Sequence, residues 1–164
     1  MGEAHPRGLM PSRVPLTIVC GPPCAGKTRF CDQYAGPGDL IIDLDLIAAE
    51  LANASPHAWS RVAWLTPAIE RRNALLKSLS DGTCAAPRAW FIVGAPEPAE
   101  RDWWARLLRP ERVVVIATDL DTCLDRLFAD PEREATRANA VNGIHGWWQR
   151  YSRRSNEEEM RGGS

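Results

Sequence analysis

The chain has 164 residues, 45% of them hydrophobic and 25% charged, with a formal net charge of -1. That length suits one domain with its own core, and the near-neutral balance excludes a protein drawn to nucleic acid or membrane by its overall field. Five cysteines (Cys20, Cys24, Cys31, Cys84, Cys123) make no zinc-type spacing, and residues 1–13 lack a signal-type apolar core; a soluble, cytoplasmic chain with no membrane partner is expected.

Residues 1–13 read as a flexible arm. Leu16-Thr17-Ile18-Val19-Cys20 is an unbroken apolar run that suits a strand buried on both faces. A helix is predicted from Lys27 to Tyr34, stopped by Ala35-Gly36-Pro37-Gly38, and a second buried strand over Asp39 to Asp43 leads into a helix from Leu44 to Leu51. Ser55-Pro56 reads as the cap of a helix running to Leu79, with Val62, Leu65, Ile69, Leu76 and Leu79 on its inner face and Pro67 kinking or breaking it. Ala89 to Val93 is a third strand, Pro98 opens a helix with Trp103 and Trp104, and Arg112 to Ala117 is a fourth strand. A helix over Asp121 to Phe128 precedes an arginine-bearing lid at about 129–138, and a last helix carries Val141, Ile144, Trp148 and Tyr151. The charged tail, residues 153–164, reads as disordered. Alternating strands and helices imply a three-layer α/β domain over 14–152, with a mostly parallel sheet of four to five strands.

Between the first strand and its helix, Gly21-Pro22-Pro23-Cys24-Ala25-Gly26-Lys27-Thr28 meets the phosphate-loop pattern G-x-x-x-x-G-K-[ST]. Its glycines let successive N–H groups surround an anion, and the helix behind adds its N-terminal dipole. Only two of the 20 basic residues are lysines, Lys27 and Lys77, and Lys27 stands where the motif needs one. The segment, with Arg29 behind it, is expected to bind a nucleotide, Lys27 reaching the terminal phosphates and the Thr28 hydroxyl holding Mg²⁺. No Asn-Lys-x-Asp segment is present to read guanine, which favours ATP over GTP.

A phosphate loop serves motors, switches and kinases alike. A motor's apolar strand ends in Asp-Glu; here the third strand runs into Gly94-Ala95 and the fourth into Thr118-Asp119. Two clusters point instead to a kinase. Asp43-Leu44-Asp45 closes the second strand, where alternation turns both carboxylates to one side. Asp45 is expected to take the proton of an acceptor hydroxyl and Asp43 to hold the Mg²⁺ shell. Arg126, Arg133 and Arg137 supply guanidinium forks for the transferred phosphoryl and a lid against water.

With the phosphate loop, Asp43-Leu44-Asp45 and Arg126, residues 16–152 resemble the small P-loop kinases: adenylate-kinase-like enzymes, polynucleotide 5′-kinases and zeta-type toxins. The pattern G-P-P-x-A-G-K-[ST] followed by D-L-D looks closest to short ATP-binding proteins encoded by bacteriophages, which would place it in a host cytoplasm. The resemblance implies a P-loop NTPase fold, ATP with Mg²⁺, and Asp45 as general base. Polynucleotide kinases commonly carry an arginine three positions after that aspartate, where this chain has Ala48; the kinase pattern also expects an acidic residue after the third strand, where this chain has Gly94. A nucleic-acid 5′ end, a nucleotide or a small metabolite are the acceptors in view. A nucleotide-binding accessory protein with weak ATPase activity, serving a nucleic-acid processing or packaging partner, is the alternative. Trp103-Trp104 and Trp147-Trp148, near Arg101, Arg106, Arg109 and Arg150, read as core with one member of each pair at its edge rather than as a base-stacking platform. His57 and His145 read as isolated.

Overall fold

The structure, a computed structural model, describes residues 6–154 and 157–161. Its elements in chain order are β1 (Leu16–Cys20), α1 (Lys27–Tyr34), β2 (Leu40–Asp43), α2 (Leu44–Ala52), α3 (Arg61–Asp81), β3 (Ala89–Val93), α4 (Pro98–Leu108), β4 (Arg112–Ile116), α5 (Leu120–Ala129), a 3₁₀ segment (Pro131–Thr136), α6 (Arg137–Arg150) and β5 (Glu158–Met160). The five strands form one sheet in the order β2-β3-β1-β4-β5, every pair parallel. Ile18 of β1 lies between Phe91 of β3 and Val113 of β4, which sets the central register.

The apolar runs of β1 and β3 are buried on both faces, as a sheet covered on two sides requires. Ile18, Phe91 and Val115 pack with Leu76 and Leu79 of α3 and Trp104 and Leu108 of α4. Val19, Ile92 and Val114 pack on the opposite side with Phe30 and Cys31 of α1, Cys123 and Leu127 of α5, and Ile144 of α6. The molecule is therefore a three-layer α/β P-loop NTPase fold. β1 is central, and the chain builds first toward β3 and β2, then crosses to β4. The crevice at the carboxyl ends of these strands lies where the winding reverses, the place where open α/β sheets bind ligands.

Five local expectations are corrected. The helix after residue 55 starts at Arg61, because Ser60 is the cap that accepts from the Ala63 N–H at 3.4 Å; Ser55 and Pro56 belong to a turn drawn inward by buried Trp59. Its inner stripe is Ala68, Arg72, Leu76 and Leu79, while Val62 is fully exposed. Pro67 does not break α3: it faces solvent, so only one backbone hydrogen bond is forfeited while the buried stripe holds the helix together. The tail expected to be disordered contributes β5, because β4 offers an open edge, Ala117 N–H donates to Met160 O at 2.7 Å, and Arg112 and Arg101 pair with Glu158 and Glu157 at 2.8 Å. The arm is likewise tied down where it is described: Leu9 is buried, and Ser12 and Arg13 N–H donate to Leu108 O and Leu79 O, both at 2.8 Å. Residues 1–5, 155–156 and 162–164, which share those two expectations, lie outside the described residues. Among the described residues no helix is long and apolar enough to cross a membrane.

Candidate active site

The loop leaving β1 makes a tight reversal before α1. A Cβ at Gly21 would stand 2.6 Å from Ile116 O, so only glycine lets β1 turn beside β4. Gly26 takes φ +98° as the N-cap residue of α1, and Cys24 holds φ +64°, unusual for a side-chain-bearing residue. No side chain caps α1, so its first-turn N–H groups suit an anion. Lys27 Nζ donates to Gly21 O at 2.5 Å and Pro22 O at 3.0 Å, which folds the ammonium over the loop. Burial holds it below its ordinary pKa, opposed by Asp43 and Asp45. From the far side Thr118, which is fully buried, donates to Ala25 O at 2.7 Å, and Arg126 donates to Cys24 O and Ala25 O at 3.1 Å.

The loop floors a cleft of about 410 Å³ whose lining includes Cys24 to Arg29, Asp43, Asp45, Arg126 and Arg133. β2 ends at Asp43 and α2 begins at Leu44, so strand alternation does not align the two carboxylates as expected. Asp43 is instead the N-cap of α2, accepting from the Asp45 N–H at 3.3 Å, and Asp45 sits in the helix's first turn. Both still reach the cleft. Burial, then repulsion by Asp45, pushes the Asp43 carboxyl up to about 6, while Lys27, the Asp45 N–H and Thr28 pull the other way. Asp45 Oδ1 accepts from Trp59 Nε1 at 3.0 Å.

Thr28 and Asp43 are hard oxygen donors that line the same cleft, and among the described residues no group of three or more His, Cys, Asp or Glu forms an all-protein cage. That fits Mg²⁺, which keeps several waters and takes one or two protein oxygens beside phosphate oxygens. β3 runs out into Gly94, whose carbonyl accepts from Trp147 Nε1 at 2.8 Å, so no carboxylate adds to the pair from that strand's end.

The 3₁₀ segment and its cap add Arg133 and Asp130 to the lining of the cleft. Arg133 Nη2 lies 3.2 Å from His57 Nε2, Arg133 Nε lies 3.6 Å from Asp130 Oδ2, and Thr136 Oγ1 donates to His57 O at 3.0 Å. Burial, then the Arg133 charge, lowers the His57 pKa, which favours a neutral imidazole accepting from Arg133. Arg137 does not join the site: its guanidinium lies over the Phe128 ring at 5.2 Å, because the start of α6 turns it toward α5. Gly21 and Pro22 shape the loop from beneath, while Pro23 to Arg29 line the cleft.

A second chamber of about 390 Å³ adjoins the first and shares Pro23, Asp45, Pro56, His57 and Arg133 with it. His57, Trp59 and Thr118 were not legible as site residues, since their partners lie 76, 14 and 93 positions away. The tryptophan pairs pack as core: Trp104 is fully buried at 4.9 Å from Phe91, Trp147 is buried and stacks on Tyr151 at 4.5 Å, and Trp103 and Trp148 are half-buried.

Residues 16–154 match the AAA_33 family, described as an AAA domain. No curated protein matches the chain. Among solved structures, the one titled crystal structure of APE1195 is similar at 16% identity, covering 93% of this chain and 87% of that one, with a TM-score of 0.55. The native AvrRxo1-ORF1:-ORF2 complex is similar at 18%, covering 80% of this chain and 47% of that one, with a TM-score of 0.51. A shikimate kinase from Bacteroides thetaiotaomicron follows at 14%, covering 90% and 86%, with a TM-score of 0.49. Identities this low speak to the fold alone.

Proposed function

The chain belongs to the AAA_33 family of nucleotide-binding P-loop domains, and from that premise we propose that it is an ATP-dependent phosphotransferase, cytoplasmic and Mg²⁺-dependent, acting on a hydroxyl acceptor. The observation that carries this reading is the position of Asp45: at the junction of the two chambers, in the lining it shares with Lys27, Arg126 and Arg133, and oriented by Trp59. A device for hydrolysis alone has no need of a second chamber at its base.

The phosphate loop and the α1 N-terminus bind the phosphates, and Lys27 and Arg126 oppose the charge that spreads over the transferred group. Thr28 and Asp43 would hold Mg²⁺ from the protein side, and the ion would supply charge neutralisation at the phosphate oxygens. Trp59 fixes one oxygen of Asp45 and the other is assigned to the acceptor hydroxyl. As the new bond forms from that hydroxyl oxygen to the γ-phosphorus, the bridging bond to the β-phosphate breaks, its electron pair leaves with ADP, and the proton passes to Asp45. Arg133, latched to His57, closes the mouth and limits transfer to water.

The likeness to phage-encoded proteins rests on G-P-P-C-A-G-K-T and D-L-D alone. Gly94 favours the second reading, an accessory protein with weak ATPase activity and a nucleic-acid processing partner, because it leaves the metal with fewer carboxylates. Incubation with γ-labelled ATP, Mg²⁺ and panels of 5′-hydroxyl oligonucleotides, nucleosides and small hydroxylated metabolites separates the two. Label is expected on one acceptor class, lost with Lys27→Ala, and lost with Asp45→Asn while ATP binding persists. Label only in free phosphate, or unchanged transfer by Asp45→Asn, would defeat the kinase mechanism.

A further inference from the structure

The second chamber has a definite chemical character. Its back wall is one face of α6 and its N-cap, where Thr136, Asn139, Ala140 and Gly143 recur at helical spacing. The small residues at 140 and 143 leave the room; a Cβ at Gly143 would come within 3.3 Å of Pro23 Cγ, so this wall sits directly against the phosphate loop. The opposite wall is the turn between α2 and α3, with His57 and Trp59. Arg61, exposed, lies at 5.6 Å over the Trp59 ring, which holds a guanidinium at the rim. Arg133 faces in from the lid, its charge shared with Asp130 on the cleft side. Asp45 is the one carboxylate in the chamber's lining.

We propose that this chamber takes a small alcohol bearing a carboxylate or phosphate, its anionic group between Arg61 and Arg133 and its hydroxyl at Asp45. This rests on the phosphotransferase reading and adds to it the acceptor's class. Apart from Asp45 the charge in the lining is positive, which selects an anion. His57 and Asn139 offer hydrogen-bonding partners to further hydroxyls. A volume of about 390 Å³ lies at the small end for a ligand site and fits one metabolite-sized molecule. A polynucleotide end is disfavoured on the same grounds. Ala48, where polynucleotide kinases commonly carry an arginine, is fully buried, and of the two tryptophan pairs Trp104 and Trp147 are buried while Trp103 and Trp148 pack half-buried against the core. The one indole in the chamber, Trp59, is buried with Arg61 over its ring, so no open aromatic face remains on which a base could stack.

The test uses the full chain, γ-labelled ATP with Mg²⁺, and matched probes: glycerol 3-phosphate against glycerol, gluconate against glucose, and a 5′-hydroxyl oligonucleotide. Calorimetric titration of the same probes, with the nucleotide site filled by a non-hydrolysable ATP analogue, is read alongside. The anionic member of a pair is expected to bind more tightly and to receive label. Arg61→Ala should raise its KM about tenfold with ATP affinity unchanged, and Arg61→Lys should recover part of the loss. Phosphate and carboxylate probes distinguish the two anionic sources. Label on neutral alcohols or on the oligonucleotide would overturn the proposal and leave the kinase reading standing. Equal binding of anionic and neutral probes, or an unchanged KM in Arg61→Ala, would also overturn it. Anion binding lost in Arg61→Ala, with no label on any acceptor, would support the chamber and defeat the kinase reading.

Discussion

Replacing Asp43 by Asn should strengthen the fold while weakening Mg²⁺-dependent nucleotide binding. Asp43 is buried, faces Asp45, and has its carboxyl raised from an ordinary 3.8 to about 6. The folded protein therefore holds the proton more tightly than the unfolded chain, so the contribution to stability is complete below about 4 and is lost as pH rises through about 6. Ionised Asp43 then costs about 2–3 kcal/mol at pH 7.5. Asparagine is equally good at the α2 N-cap, so the Asp45 N–H keeps its acceptor. Asp43→Asn should gain that stability, a rise of roughly 4–10 °C in Tm for a domain of this size. The gain should fall to about half near pH 5 and vanish below about pH 4. The same variant should lose about tenfold or more of the ATP affinity that Mg²⁺ confers. Thermal unfolding with and without Mg²⁺ and ATP, at pH 7.5 and pH 5, reads both effects. A variant no more stable than wild type at pH 7.5, or equally stabilised at both pH values, would refute the burial argument; unchanged Mg²⁺-dependent affinity would remove Asp43 from the metal shell.

Gly21→Ala should disrupt the phosphate loop, since its Cβ would meet the Ile116 carbonyl at 2.6 Å; ATP affinity is expected to fall at least tenfold with about 1–3 kcal/mol of stability, and normal binding would show that the loop relaxes freely. Arg101→Met should strand Glu157, which is nearly buried, and remove bonds to Ala95 O, Pro96 O and Ser152 O, a loss of about 3–5 kcal/mol. Hydrogen exchange should then accelerate at 158–160, and unchanged protection there would mean that β5 is held by its pairing to β4 alone. Pro67→Ala should restore one helical hydrogen bond on the exposed face of α3 and stabilise by about 1–3 kcal/mol; chemical denaturation checks this, and a loss of stability would show that the proline ring is packed.

Much of the fold was legible because its signals are local. The runs Leu16–Cys20 and Ala89–Val93 and the helix Lys27–Tyr34 stand where the residue pattern places them. A short apolar run, β-branched in part and closed by a glycine turn, suits a strand covered on both faces, and G-x-x-x-x-G-K-T carries its own turn geometry. The tail was misread because composition registers charge but not the partners of that charge. Glu157 and Glu158 are ordered by Arg101 and Arg112, which lie 56 and 46 residues earlier. Val62 was misread because a helix's inner face depends on what it packs against, and α3 begins beyond the reach of the core.

The candidate site divides along the same line. Residue type and chain position pointed to Lys27, Thr28, Asp43 and Asp45, but it is the start of α2 at Leu44, not strand alternation, that brings both carboxylates to the crevice. What the crevice does with them was decided in three dimensions. Trp59 comes back to orient Asp45, Arg133 closes on His57 from 76 residues away, and Arg137 turns to Phe128 instead of the cleft. Chain pattern alone determined a phosphate-binding P-loop domain, because a tight anion-binding turn is a property of consecutive backbone. Only the packing of α2, α3 and α6 around one end of the sheet decided that a second chamber opens beside Asp45, because its walls come from segments that no sequence period connects.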